Sequence, residues 1–264
     1  MAYPNQGTLR TDRRQVNISS TWDSDADWNN YQSKTDITVS GGALQLTEIV
    51  TIPNSIVLLD DWADGNLTSN RDDYNTTAFQ PSNSTLVQQG ASGSLSRPTW
   101  TIDQGSPFVN SQVLTVRTSS GTGDRARAPL SLASLDNVTW ELEINGVGGL
   151  VYYNLVMTTT TYNSNGYTQN GYFMNIEDTG ISLYSSNGGS VTNMITGLTT
   201  PSTPFVLRVE RDGTGTWEVF FNGTSQGTAT NTDHGGASYT SFAANSGQSD
   251  ANIDVDWYAV DDGS

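Results

Sequence analysis

The chain has 264 residues, of which 34% are hydrophobic and 14% charged, with a formal net charge of −16 and a pI near 4.1. This charge argues against nucleic acid and anionic membranes as partners, because both carry charge of the same sign. The chain has no cysteine, which excludes disulfides and thiolate metal sites, and it has no apolar run of about eighteen residues that would insert into a membrane.

Residues 1–50 form a polar arm followed by a small predicted β unit. Arg10, Arg13 and Arg14 cluster near the start of an otherwise acidic chain. No apolar run follows them, so we expect no secretory signal here. Short alternating runs at 37–46 predict a hairpin, which is too small to be stable by itself. We therefore predict a docking arm and β adaptor, and a solvated tail is the alternative.

Residues 56–264 carry period-two alternation with frequent turn signals, which is typical of antiparallel strands. An alternating pair at 205–221 is joined by a Gly-rich loop and followed by Asn222-Gly223, a strong turn signal. No long run has the 3.6-residue period of a helix. The predicted strands lie at 99–102, 113–117, 125–132, 138–144, 151–158, 172–177, 181–184, 191–196, the two arms of 205–221, and 253–260.

Four segments of this region carry a family resemblance. They are Asp-Asp-Trp-Ala-Asp-Gly at 60–65, Val-Thr-Trp-Glu-Leu-Glu-Ile at 138–144, the pair with its following turn at 205–223, and the closing Asp-Ala-Asn-Ile-Asp-Val-Asp-Trp-Tyr-Ala-Val at 250–260. Together they resemble concanavalin A-like and laminin-G-like jelly-roll domains. The resemblance implies an all-β, two-sheet antiparallel jelly-roll sandwich over 56–264, with its first and last strands adjacent.

The basic residues add a second resemblance. Ten of the eleven are arginine, and Lys34 is the one lysine. An acidic, lysine-poor surface resembles proteins that work in molar salt, where the Debye length is about 3 Å and self-repulsion is screened. This composition together with the jelly-roll resemblance makes the chain similar to virion proteins of haloarchaeal tailed viruses, such as capsid turrets, decorations and tail fibres. An ordinary acidic extracellular domain is the alternative.

Carboxylates near both ends of the β domain suggest a metal site. In the resembled fold a structural calcium ion is often held near the junction of the first and last strands. Calcium takes six to eight oxygen ligands, which several Asp side chains and a Gly turn can supply. The candidate ligands are Asp60, Asp61, Asp64, Asp254 and Asp256. A solvated acidic rim is the alternative.

Tyrosines around the polar loop 158–171 suggest a sugar contact. Aromatic faces beside amides and carboxylates can stack on pyranose rings and bond their hydroxyls. The candidate ligand-binding residues are Tyr153, Tyr162 and Tyr167, and packing into the core is the alternative. Glycan hydrolysis is less favoured, because Glu141 and Glu143 lack the further carboxylates of glucanase motifs on this fold.

The prediction for function is a non-enzymatic virion surface protein of a halophilic virus, acting in capsid decoration or host attachment. We expect a homo-oligomer, with a trimer as the expected order, bound to other virion proteins through residues 1–50 and to host cell-surface glycans. One alternative is a stand-alone extracellular carbohydrate-binding module or an inactive relative of glycoside hydrolases. An active glycosidase is another.

Overall fold

A computed structural model describes residues 7–11, 14–18, 37–40, 43–46, 56–62, 64–68, 73–75, 84, 86, 94–96, 98–119 and 121–263. The chain divides into two compact units, Met1–Val50 and Thr51–Ser264. The described part of the chain contains no helix. It therefore contains no helix that is long and apolar enough to cross a bilayer.

The described residues of the first unit form two antiparallel hairpins. The strands are β1 (Gly7–Thr11), β2 (Arg14–Ile18), β3 (Ile37–Ser40) and β4 (Ala43–Leu46). β1 pairs with β2, and β3 pairs with β4, which confirms the hairpin predicted at 37–46. The side chains of Arg10, Arg13 and Arg14 lie outside the described residues, so the docking role of this unit stays a prediction.

The second unit is built entirely of strands and their connections within its described residues. The strands are β5 (Ile56–Asp60), β6 (Asp73–Asn75), β7 (Ser94–Ser96), β8 (Thr101–Gln104), β9 (Phe108–Asn110), β10 (Val113–Ser119), β11 (Thr122–Gly123), β12 (Arg125–Leu132), β13 (Val138–Gly148), β14 (Val151–Met157), β15 (Gly171–Ile176), β16 (Ile181–Asn187), β17 (Ser190–Leu198), β18 (Phe205–Arg211), β19 (Thr216–Phe221), β20 (Thr224–Thr230), β21 (Ala237–Ala244) and β22 (Asn252–Asp261).

Two antiparallel sheets form the sandwich. Among the described residues, one sheet has nine strands in the order β11-β10-β22-β13-β18-β19-β20, with β5 added beside β22 and β9 beside β10. The other has seven strands in the order β17-β16-β15-β14-β21-β12-β8. Asp60 of β5 pairs with Tyr258 of β22, so the first and last strands of the sandwich are adjacent. The predicted all-β two-sheet sandwich is confirmed.

Aromatic side chains fill the space between the sheets. Trp140 and Trp217 of the nine-stranded sheet are fully buried and stack with ring centroids 5.6 Å apart. Further along the core, Tyr153 stacks on Phe242 at 4.9 Å, and Tyr258 meets both rings edge-on. Each large apolar side chain buried in this way stabilises the fold by about 1.5–3 kcal/mol, so the two layers are held together by their inner faces.

Most of the predicted strands correspond to observed ones. β12 has the predicted bounds, and the turn predicted at Asn222-Gly223 is present, with φ angles of 49° and 78° at the two residues. Sequence reasoning missed β20 and β21, and also the short strands β6, β7, β9 and β11. β21 is a central strand, and its weak alternation reflects small inward residues such as Ala237, Thr240 and Ala244.

Candidate functional site

The loop at 158–170 is a small hairpin that lies against the outer face of the seven-stranded sheet. Asn154 of β14 is fully buried and anchors it. Its Nδ2 donates hydrogen bonds to the Gly166 carbonyl at 3.2 Å and to Ser241 Oγ at 2.9 Å. Its Oδ1 accepts one from the Thr168 amide at 2.6 Å. A single sheet side chain therefore fixes the turn and the second arm of the loop.

The tip of the loop is folded by its own residues. Asn163 Oδ1 accepts hydrogen bonds from the amides of Asn165, Gly166 and Tyr167 at 2.8–3.2 Å. An asparagine that captures nearby amides in this way forms a compact turn. Because the turn is rigid, the flanking residues Tyr162 and Tyr167 leave it at fixed positions on either side.

Tyr162 lies on one side of the loop, over β8 and β12. Its hydroxyl donates a hydrogen bond to Asp103 Oδ2 at 2.9 Å, and Asp103 Oδ1 pairs with Arg127 Nη1. The side chains of Arg127 and Asp103 are 20% and 15% exposed. Burial raises the pKa of Tyr162 well above its ordinary value, so the phenol stays protonated and donates to Asp103 at every physiological pH.

Arg125 lies next to Tyr162 and is half-buried. Its guanidinium carbon is 5.3 Å from the centroid of the Tyr162 ring, and Nη2 donates to the Ser164 carbonyl at 3.1 Å. Its Nε is buried and has no hydrogen-bond partner within the described residues. Burial lowers the pKa of Arg125 from its usual value. The side chain remains a cation at neutral pH, held against an aromatic ring.

Arg127 continues this arrangement on the other side. Its guanidinium carbon lies 5.4 Å from the centroid of Tyr239 on β21. Arg125 and Arg127 point outward because the alternating residues Ala126 and Ala128 are buried in the core. We call Asp103, Arg125, Arg127, Tyr162 and Tyr239 the arginine–tyrosine face. It presents two cations and two partly exposed aromatic rings on a rigid sheet.

Tyr167 lies on the other side of the loop, in a row of rings across β14, β15 and β16. It stacks on Phe173 at 4.7 Å, and Phe173 stacks on Tyr184 at 5.2 Å. Tyr152 meets Tyr167 edge-on at 5.5 Å. Burial is the largest cause that raises the pKa of Tyr152 to about 12. Tyr167 and Tyr184 keep partly exposed surface, so this row extends the aromatic surface beyond the arginine–tyrosine face.

Tyr153 requires a correction. It is fully buried between the sheets, stacked on Phe242, so a sugar on the outer surface cannot reach it. Adjacent residues of a strand point to opposite faces of the sheet, so Tyr153 points into the core and its neighbour Tyr152 points outward. Of the three tyrosines that the sequence singled out, the structure places Tyr162 and Tyr167 together around one loop.

Asp60 binds protein groups rather than an open cation site. It is fully buried, and its Oδ1 accepts a hydrogen bond from the Trp62 amide at 2.9 Å. Its Oδ2 accepts one from Trp100 Nε1, also at 2.9 Å. Asp60, which the sequence suggested as a metal ligand, therefore holds Trp62 and Trp100 in the core by hydrogen bonds. The rings of these two tryptophans lie 6.2 Å apart.

The remaining predicted ligands do not converge with Asp60. Asp60 pairs with Tyr258 of β22, and Asp254 lies four residues away from Tyr258 on the same strand. Asp254 Oδ1 accepts a hydrogen bond from Thr115 Oγ1 at 2.7 Å. Four strand residues span about 13 Å. Asp64 Oδ1 instead accepts from the Asn66 amide in its own turn.

Asp256 lies near two other carboxylates on the outer side of the nine-stranded sheet. Burial, and then the charges of Glu143 and Asp61, raise the pKa of Asp256. Nevertheless, no group of three or more His, Cys, Asp or Glu side chains in the described part of the chain is placed to hold a metal ion. The described residues thus do not fit the calcium site predicted from Asp60, Asp61, Asp64, Asp254 and Asp256.

Glu141 and Glu143 alternate with core residues, as expected, but both are buried: 0% and 5% exposed. Ser84 Oγ donates a hydrogen bond to Glu141 Oε1 at 2.6 Å, and Trp257 Nε1 donates one to Glu143 Oε2 at 3.0 Å. Both glutamates lie on the opposite face of β13 from the core residues Trp140, Leu142 and Ile144, and they are covered there. Their carboxylates serve hydrogen bonds within the protein.

No protein-family model matches the chain, and no curated protein sequence matches it. Solved structures with a similar arrangement include the potassium-bound carbohydrate recognition domain of Emp46p, at 12% identity and a TM-score of 0.49 over 62% of this chain and 89% of that one. The carbohydrate recognition domain of Emp47p gives 13% and 0.49 over 76% and 99%. Carbohydrate-binding module CBM66 from Bacillus subtilis gives 14% and 0.40 over 59% and 91%.

All these TM-scores lie below 0.5. The fold of this chain is shown by its own strand order and registers, and a fold of this kind does not by itself specify a function.

Proposed function

We propose that the second unit is a non-catalytic glycan-binding domain whose ligand lies on the arginine–tyrosine face. The observation that carries the proposal is the fixed position of Tyr162. Its hydroxyl is bonded to Asp103 while its ring lies beside Arg125, on a loop anchored by Asn154. A sugar has an apolar face that stacks on aromatic rings and hydroxyls that bond to planar polar groups.

The same geometry supports binding rather than hydrolysis. Retaining hydrolysis needs two carboxyl groups about 5–5.5 Å apart that both reach the substrate. On the proposed face, both oxygens of Asp103 are engaged by Arg127 and Tyr162. Glu141 and Glu143 are buried on the other sheet, where a glycan has no access to them. A bound sugar on this face would therefore be held without being cleaved.

The test is a screen of neutral and uronate-containing oligosaccharides, followed by titration calorimetry with the strongest binder in molar salt. Truncating a stacking aromatic commonly costs more than about 1 kcal/mol, so Tyr162→Ala and Tyr239→Ala should each weaken binding by roughly fivefold or more. Phe220→Ala is the matched control, since Phe220 stacks with Arg208 at 4.1 Å on the opposite sheet. Equal affinity in all three variants would place the ligand elsewhere.

For the biological setting we propose a projection on the particle of a halophilic virus. The net charge of −16 and the one lysine support it, because such a surface is soluble and stable when salt screens its self-repulsion. The test compares the thermal midpoint between about 0.1 M and about 2 M NaCl. A midpoint that does not rise with salt contradicts the proposal, as does failure of an antibody against the chain to label particles from a haloarchaeal culture.

A further inference from the structure

Two edge strands, one from each sheet, lie side by side along one flank of the sandwich. β17 ends the seven-stranded sheet and β20 ends the nine-stranded sheet. They are close enough that a Cβ added at Gly227 of β20 would lie 3.3 Å from Ile195 Cγ2 of β17. Within the part of the chain that the structure describes, no strand pairs with the outer side of either.

The two strands of this flank contain no charged residue, although the carboxylate of Glu218 on β19 accepts a hydrogen bond from Ser225 Oγ of β20. Residues 179–207, which include β16 and β17, contain no Asp, Glu, Lys, Arg or His, and neither do residues 219–232, which include β20. With 14% of the chain charged, a stretch the length of 179–207 would be expected to hold about four charges. Edge strands of soluble proteins usually carry lysine, proline or inward charges that discourage pairing with another chain. β17 and β20 contain none of these.

The first half of β17 is well formed for pairing. Gly188 and Gly189, at φ 58° and 83°, make the tight turn from β16. The register then runs without interruption from Ser190 to Asn193, and the shifts that bend the strand come only beyond Asn193. All four residues from Ser190 to Asn193 are exposed, and Val191 is 41% exposed. Regular, exposed edge backbone offers unpaired N–H and C=O groups for a further strand.

We propose that this flank binds a second copy of the chain through the uncharged strand β17, which lies antiparallel to β17 of the second copy across a two-fold axis. Two molecules of charge −16 repel each other, so the contact that costs least is one that brings no carboxylates together. A two-fold contact places the same uncharged surface on both sides. Molar salt screens the repulsion between the remaining surfaces, so association strengthens as salt rises.

The test is sedimentation velocity of the full chain in about 2 M NaCl, from about 1 to about 100 µM protein. Val191→Lys places two like charges near the axis and should raise the dissociation constant by about tenfold or more. Ile102→Lys is the matched control, because Ile102 is also 41% exposed and lies on β8, the opposite edge of the same sheet. It should associate like the wild type.

Hydrogen exchange on the wild type provides a readout that does not depend on a variant folding. The amides of Ser190–Asn193 should become slower to exchange as the concentration rises, whereas those of β8 should not change. The proposal is overturned by a wild type that is monomeric at every concentration. It is also overturned if Val191→Lys, with an unchanged circular-dichroism spectrum, associates as tightly as the wild type, or if exchange at Ser190–Asn193 is independent of concentration.

Discussion

Asn154→Ala is the substitution that should separate the loop at 158–170 from the rest of the fold. The Asn154 side chain makes three hydrogen bonds, to the Thr168 amide, the Gly166 carbonyl and Ser241 Oγ. A typical buried hydrogen bond contributes about 0.5–1.5 kcal/mol, so removal of the three should cost roughly 1.5–4.5 kcal/mol if the loop stays in place. The Thr168 amide and Gly166 carbonyl can regain water partners if the loop lifts. We therefore expect a loss in the lower half of that range, with a mobile loop.

Two measurements check this expectation. Urea unfolding gives the free energy of unfolding, and hydrogen exchange at the Thr168 amide reports whether the loop has opened. Glycan affinity should fall in the same variant, because Tyr162 loses its fixed position over Asp103. Asn175→Ala is the matched control on the same sheet, since Asn175 Oδ1 is buried without a hydrogen-bond partner among the described residues and its removal should cost little. A loss below about 0.5 kcal/mol together with unchanged exchange at Thr168 would refute the anchoring role.

Further expectations concern two aspartates. Asp60→Ala leaves the Trp62 amide and Trp100 Nε1 without their acceptor, so urea unfolding should show a loss of about 3–5 kcal/mol that added calcium does not restore. Stabilisation of the wild type by calcium, lost in the variant, would contradict this. Asp256 has a raised pKa, so its ionised form destabilises the folded state, and Asp256→Asn should raise the thermal midpoint at pH 7. The gain should shrink as pH falls through the raised pKa and vanish below the ordinary value of 3.8; a gain independent of pH would show another cause.

Sequence patterns located the strands whose two faces differ in polarity. In β18 and β19 large apolar residues such as Leu207 and Trp217 alternate with Arg208 and Glu218, which gives a period of two. β20 was missed because a polar edge strand has no apolar face to reveal it. β21 was missed for a different reason: apart from Phe242, its inward positions are small residues such as Ala237, Thr240 and Ala244, so its alternation is weak.

The candidate site was predictable only where it is local. Tyr162 and Tyr167 belong to one polar loop, so their closeness could be predicted from the sequence. The whole loop lies on the outer face of the seven-stranded sheet. Asp103, Arg125 and Tyr239 lie far apart in the chain and meet because β8, β12 and β21 are neighbours in the sheet. Strand order of this kind is set by tertiary packing and is not visible in local patterns.

Metal ligation was over-predicted for a related reason. The sequence Asp-Asp-Trp does not show whether a carboxylate binds a cation or accepts hydrogen bonds from N–H groups in the core. The role of Asp60 depends on Trp100, which is forty residues away in the sequence and whose Nε1 donates a hydrogen bond to Asp60 Oδ2.

The most direct test of the account is a chemical-shift map of the second unit with the strongest-binding oligosaccharide. We expect the perturbed amides to cluster in β8, β12, β21 and the loop at 158–170, and to shift less at the same oligosaccharide concentration in Tyr162→Ala, while the other resonances of that variant stay dispersed. Perturbations concentrated on the nine-stranded sheet, or an identical map in Tyr162→Ala, would contradict the assignment of the arginine–tyrosine face as the glycan site.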